Sequence, residues 1–115
     1  MRVADLIEAF AAQRPDDVVR LGGETFLSLG ATLDLIAEAE RQGVRLLGLE
    51  AFLVSEHGVY PALSRIADYS TDAASDAIAD ARHRLEGAWA SAPSAEDQMR
   101  SDASGRYMLT VVLAE

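Results

Sequence analysis

Hydrophobic residues recur every three or four positions in three stretches of the chain, which is the spacing of an amphipathic helix. The three apolar faces consist of Val3, Leu6, Ile7 and Phe10; of Leu29, Leu33, Ile36 and Ala37; and of Ala74, Ala77, Ile78, Ala81, Leu85 and Trp89. Pro15 ends the first helix and Pro93 stops the third. The second has Ser28 as its N-cap and Gly43 as its C-terminal stop. We therefore expect three helices.

Three further runs have the character of paired β-strands. Residues 44–54 are largely apolar at both odd and even positions, which is typical of a strand covered on both faces, so we expect this run to be the central strand of a sheet. Residues 59–63 return after a turn as its antiparallel partner, and Pro61, which has no N–H, makes this partner an edge strand or ends it early. Residues 106–113 are rich in β-forming side chains and should dock beside the central strand.

These elements predict a single α+β domain over residues 1–115, in the order ααββαβ. A small antiparallel sheet of three or more strands is expected to pack against about three helices. Residues 66–71 are interpreted as a loop whose polar side chains cap the third helix. Two segments stay undetermined: residues 16–27, which fit either a helical turn or a short strand, and residues 92–105.

The charge of the chain narrows the choice of partner. The formal net charge is -9, and all ten basic residues are arginine. A protein this acidic repels nucleic-acid phosphates and has no basic run to offset that repulsion locally, so we expect no nucleic-acid binding. Attraction to a basic protein is physically favoured, and acidity that serves solubility alone is the alternative interpretation.

Other features of the sequence exclude whole classes of chemistry. The chain has no cysteine, which excludes disulfides, thiolate metal sites and cysteine nucleophiles. No metal, nucleotide or nucleophile motif occurs, so we expect no cofactor, no metal site and no enzymatic activity. Residues 1–8 contain acids where a signal peptide would be apolar, and no run is long enough to span a membrane. We therefore expect a cytoplasmic protein that does not bind membranes.

Glu50 is the most unusual residue, because it interrupts the longest apolar run. Strict alternation places it on the face of Leu46, Phe52 and Val54. A carboxylate buried there is costly unless it is paired or hydrogen-bonded. As a functional group, Glu50 would be a general acid or base, or the anchor of a recognition cleft. As a structural group, it would pair with a buried arginine such as Arg65 or Arg45, or reach solvent at an uncovered part of the sheet.

Further candidates lie near the ends of the predicted hairpin. Arg65, Asp68 and Tyr69 precede the third helix, and loops on a rigid scaffold commonly carry binding residues. The alternative is structural, with Asp68 or Ser70 capping the helix and Tyr69 covering the core. His57, in the hairpin turn, is either a solvated surface group or a partner for Glu50.

Four segments follow one another in the C-terminal two-thirds of the chain: residues 47–54 (LGLEAFLV), Tyr60-Pro61, 66–70 (IADYS) and 107–113 (YMLTVVL). In this layout the chain resembles small bacterial immunity proteins of toxin–immunity systems. The resemblance implies a cytoplasmic binding protein that neutralises a cognate toxin by occluding its active site or a nearby surface. It also implies Glu50 as a charged anchor, Asp68 as a second acid and Tyr69 as an aromatic contact.

The charge is compatible with that expectation, because a basic toxin domain would attract an acidic inhibitor and accelerate association. Two other classes stay open. One is a small-ligand binder or acid–base enzyme that uses Glu50 with His57, and the other is an accessory subunit completed by another chain. An apolar pocket with Glu50 at its floor would favour the ligand binder, and a flat acidic face would favour the inhibitor.

Overall fold

A computed structural model describes residues 2–56, 58–90 and 105–114. Within these ranges the helices are α1 (Val3–Ala12), α2 (Leu29–Arg41) and α3 (Ala74–Glu86). The strands are β1 (Val18–Leu21), β2 (Glu24–Leu27), β3 (Leu46–Ser55), β4 (Gly58–Asp68) and β5 (Arg106–Leu113).

The five strands form one antiparallel sheet in the order β1-β2-β5-β3-β4. The predicted α+β fold is therefore confirmed. The predicted neighbours of β3 are also confirmed, because it pairs with β4 on one side and with β5 on the other. The prediction that the 44–54 run is the central strand was wrong, because β5 holds the middle position and β3 lies next to the edge. Strand β4 is an edge strand, as Pro61 indicated.

Residues 16–27 add a hairpin that the sequence left undetermined. Strands β1 and β2 pair along their whole length. The two residues between them, Gly22 and Gly23, have φ angles of 57° and 81°, left-handed values that glycine adopts without steric cost. Each strand has only four residues, too few for alternation to distinguish it from a helical turn.

Both predicted ends of α2 are confirmed. Ser28 Oγ accepts a hydrogen bond from the N–H of Ala31 at 3.2 Å. At the other end, Gly43 has a φ of 70°. The amides of Gly43 and of the following residue donate to the carbonyls of Glu40 and Ala39 at 3.1 and 2.8 Å. This paired arrangement satisfies two of the last helical carbonyls and ends the helix.

The prediction of a loop over residues 66–71 was wrong, because β4 continues through the first half of this segment. Its register against β3 shifts between Glu50 and Phe52, so residues 62–65 form a bulge opposite a single β3 residue. Pro61, which lacks an N–H, lies opposite Phe52 immediately before the bulge, and regular pairing resumes at Ile66.

Helix α3 differs from its prediction at both ends. It begins after Ala73 with no side-chain cap, so the prediction that Asp68 or another polar residue of this segment caps it was wrong. It ends at Glu86, and Trp89 follows in a 3₁₀ turn over Ala88–Ala90. Trp89 is nevertheless buried with the predicted apolar face of the helix.

Within the described residues, the helices pack against one face of the sheet. Their buried side chains form the main core together with inward-facing strand residues such as Leu27, Leu49 and Leu109. On the other face, the described part of the chain forms a smaller cluster of strand residues, with Phe26, Val54 and Met108 at its centre and Val19, Phe52 and Val59 packed around them. The prediction that both faces of the 44–54 run are covered was therefore wrong for its first half, which is open on the side away from the helices.

Candidate binding surface on the open face of the sheet

One end of the open sheet face carries a shallow groove that crosses three strands. On β3, Gly48 lies opposite Asp68 of β4 and opposite Val112 of β5. Two residues further along β3, Glu50 lies opposite Ile66 of β4. Side chains at these register positions share one face. We call the surface formed by these five residues the Gly48 groove.

Glu50 is exposed at this groove and does not enter the core. An extra residue on β3, Leu47, shifts the register against β5 and breaks the alternation, so that Leu46 packs with the helices while Gly48 and Glu50 face outward. The prediction that Glu50 shares a face with Leu46 was wrong for this reason. The observed position is the uncovered part of the sheet that the sequence offered as one alternative.

Asp68 is an exposed carboxylate fixed in orientation by the turn that follows it. Its Oδ1 accepts a hydrogen bond from the backbone N–H of Ser70 at 2.9 Å. This bond, with a further one from the Ser70 side chain, holds the pKa of Asp68 below its ordinary value. Asp68 therefore presents a negative charge to the groove at neutral pH.

A second contact holds the same turn in place. Nη2 of Arg45, just before β3, donates to the carbonyl oxygens of Ser70 and Asp72 at 3.1 and 2.6 Å. Charged donors of this kind make the stronger class of hydrogen bond. The turn that positions Asp68 is therefore held in place by hydrogen bonds from Arg45.

Two large apolar side chains are exposed beside these acids. Ile66 is 49% exposed and Val112 is 53% exposed. Gly48, between Asp68 and Val112, contributes no side chain, and a Cβ at this position would lie 3.2 Å from the carbonyl oxygen of Ala67. The floor of the groove is therefore backbone, with apolar and acidic side chains around it.

The predicted cluster of Arg65, Asp68 and Tyr69 is divided between the two faces of β4, because these residues lie in or beside a strand and not in a loop. Nη1 of Arg65 donates to the carbonyl of Trp89 at 2.6 Å, and its guanidinium lies 3.9 Å from the centre of the Tyr107 ring. Arg65 is buried on the helix side, so the alternative in which it pairs with the outward-facing Glu50 is not the one observed.

Tyr69 is also buried on the helix side, with 2% of its surface exposed. Its hydroxyl donates to Oδ2 of Asp80 on α3 at 2.7 Å. Burial, together with this hydrogen bond, raises the pKa of Tyr69 above its ordinary value. The structural alternative for Tyr69 is the one observed, since it covers the core and links β4 to α3. His57 lies outside the described residues.

Sequence reasoning missed Gly48, Ile66 and Val112 as members of the surface. Gly48 could have been recognised from the sequence, because a glycine inside an apolar strand often marks the close approach of another group. Ile66 and Val112 left no such signal, since an apolar residue in a strand is equally compatible with the core.

Three comparisons with known proteins do not assign the chain to a family. Protein-family models, curated proteins and solved structures all give no match to it. In residues 2–56, 58–90 and 105–114, no group of three or more His, Asp or Glu side chains is arranged to hold a metal ion. No helix in the described part of the chain combines the length and the apolar character that a membrane span needs.

Proposed function

We propose that this chain is a protein-binding module that captures a basic partner on the open face of its sheet, in the manner of the immunity proteins it resembles. The observation that carries the proposal is the Gly48 groove, where two exposed apolar side chains adjoin two carboxylates. In this proposal the partner is a basic toxin domain, and the module acts in the cytoplasm by covering the toxin's active site or a surface next to it.

The apolar part of the groove supplies affinity. Fully burying an isoleucine or valine side chain contributes about 1.5–3 kcal/mol. Because Ile66 and Val112 are already about half covered, a partner would gain roughly 1 kcal/mol from each. Apolar surface that is rimmed by polar residues marks many protein–protein interaction sites.

The charged part of the groove selects the partner. With a net charge of -9, the chain attracts a basic surface from a distance, and Glu50 and Asp68 supply its local counter-charges. A second copy of this chain is disfavoured as the occupant, because two-fold pairing of this face would bring the same carboxylates together. Nucleic acids and anionic membranes are also disfavoured, because their negative phosphates are repelled by the acidic chain.

The small-ligand or enzyme alternative receives less support from the geometry. Glu50 lies on an open, shallow surface whose floor is Gly48. It is five residues along β3 from Ser55, where the hairpin turn begins, which is about 17 Å of extended chain. An acid–base pair between Glu50 and the hairpin turn would have to bridge that separation.

The test combines capture with two matched charge reversals. The chain is immobilised, a partner is retained from extracts of the producing cells, and its association and dissociation are measured at several salt concentrations. Glu50→Arg changes the charge in the groove. Glu86→Arg makes the same change on the exposed surface of α3, on the helix side of the sheet.

We expect Glu50→Arg to weaken binding by at least about ten-fold, which is about 1.4 kcal/mol, and Glu86→Arg to change it by less than about two-fold. The association rate of the wild-type chain should fall as salt rises, because screening shortens the reach of exposed charges to about 8 Å at 0.15 M, while dissociation changes little. Retention of no protein, or equal weakening by both charge reversals, would contradict the proposal.

A further inference from the structure

Because Gly48 has no side chain, one side-chain position on the open face of the sheet is empty. Its two cross-strand neighbours, Asp68 and Val112, lie on opposite sides of it, each about 5 Å away. Glu50 is the next residue along β3 on the same face, and its own cross-strand neighbours are Ile66 and Thr110. Asp68 and Glu50 are thus diagonal neighbours, about 7–8 Å apart between backbones.

We propose that the Gly48 groove receives one arginine side chain of the partner, with its aliphatic stem over Gly48 and its guanidinium bound by the carboxylates of Glu50 and Asp68. This inference rests on the proposed function and names the group that the surface recognises. The methylene stem packs between Ile66 and Val112, so a single long cationic side chain uses both the apolar and the acidic parts of the groove.

Arginine fits this arrangement better than lysine does. Its planar guanidinium presents five N–H donors in a fixed geometry, which allows one side chain to bond two carboxylates on different strands at once. It is also less strongly hydrated than an ammonium group, so it loses less when it lies against Ile66 and Val112. A lysine ammonium would bond one carboxylate well and leave the other in solvent.

The groove is prepared for such a ligand before binding. The hydrogen bond from Ser70 orients the Asp68 carboxylate and keeps it ionised, and the Arg45 contacts hold the turn that carries Ser70. Pre-orientation of this kind lowers the entropy that binding would otherwise cost.

The experiment uses a small probe, so that it does not depend on finding the partner. The ¹⁵N-labelled chain is titrated with N-acetyl-arginine amide and, separately, with N-acetyl-lysine amide, each to about 100 mM, a range that detects millimolar dissociation constants. The variants are Glu50→Gln and Asp68→Asn, which remove charge with little change of shape, and Glu86→Gln is the matched control.

We expect the arginine probe to shift the amide signals of the groove residues saturably and to bind at least about three-fold more tightly than the lysine probe. Each groove variant should weaken the arginine probe by about two- to five-fold, as expected for an exposed charge pair, while Glu86→Gln leaves it unchanged. The amide spectra of the variants report directly whether the fold is kept.

Three results would overturn the inference: no saturable shift up to about 100 mM, shifts spread evenly over the acidic surface, or lysine binding as tightly as arginine. None of these results changes the outcome of the capture experiment. Failure of the arginine inference can therefore be distinguished from failure of the proposed function, because a basic partner could still be captured without an arginine anchor. Conversely, arginine binding without a captured protein would count against the proposed function alone.

Discussion

Replacing Leu49 by alanine tests the division of the sheet into a core face and an open face. Leu49 is 1% exposed and belongs to the main core. Its neighbours Ala67 and Val111 sit opposite it on β4 and β5. Because β3 is hydrogen-bonded on both sides, the strands have little freedom to close over the space that the mutation leaves.

The expected cost follows from that rigidity. Leucine-to-alanine changes in a core cost about 2–5 kcal/mol, and the cost is higher where the cavity does not collapse, so we expect about 3–4 kcal/mol for Leu49→Ala. A chain of 115 residues has a total stability of roughly 6–17 kcal/mol. Its unfolding entropy converts each kcal/mol into about 4 °C, so the unfolding midpoint should fall by about 12–16 °C.

The matched control is Leu63→Ala, which makes the same chemical change in the β4 bulge, where Leu63 is 59% exposed. We expect it to cost less than about 0.5 kcal/mol. Urea unfolding can be followed by far-UV circular dichroism and by the fluorescence of Trp89, the single tryptophan, which is buried. A cost below about 1 kcal/mol for Leu49→Ala, or equal costs for the two variants, would refute the assignment of Leu49 to the core.

Three further predictions concern the helix ends and the link between β4 and α3. Gly43→Ala should destabilise by about 1 kcal/mol, because φ at Gly43 is 70°; an unchanged thermal midpoint would contradict this. Tyr69→Phe should cost about 0.5–1.5 kcal/mol in urea unfolding, because it removes the hydrogen bond to Asp80; a neutral result would show that the bond adds nothing. Hydrogen bonds from Arg84 and Tyr69 lower the pKa of Asp80 below its ordinary value of 3.8, so its contribution to stability is complete above that value and is lost as pH falls through the lowered pKa. Between about pH 5 and about pH 3, the free energy of unfolding should therefore fall less in Tyr69→Phe than in the wild type. An equal fall in both proteins would count against the role of the bond.

Local sequence patterns determined the elements whose signals come from near neighbours. The ends of α2 follow from Ser28 and Gly43, since a side-chain cap and a left-handed glycine act within one turn of the helix. The strand character of residues 44–54 and 106–113 follows from their apolar and β-branched residues. These features required no knowledge of the rest of the chain.

The faces of the strands were decided by the tertiary structure. The extra residue Leu47 turns Leu46 inward and Glu50 outward, and such a bulge is fixed by pairing with a distant strand. Likewise, residues 66–68, which end in the polar Asp68, fit a loop until β3 is seen to pair with them. Once they are paired, alternation sends Arg65 and Tyr69 to the core and leaves Asp68 outside.

For the candidate site, the sequence indicated individual residues but not how they are arranged relative to one another. The sequence singled out Glu50 because a carboxylate in an apolar strand is costly to bury. It singled out Asp68 because this residue was placed in a loop next to the hairpin, where binding residues commonly lie. Their proximity to each other and to Val112 depends on the order of strands β4, β3 and β5 in the sheet. Composition and periodicity act over a few residues, whereas a surface assembled from three strands is set by pairing along the whole chain, which only the folded structure defines.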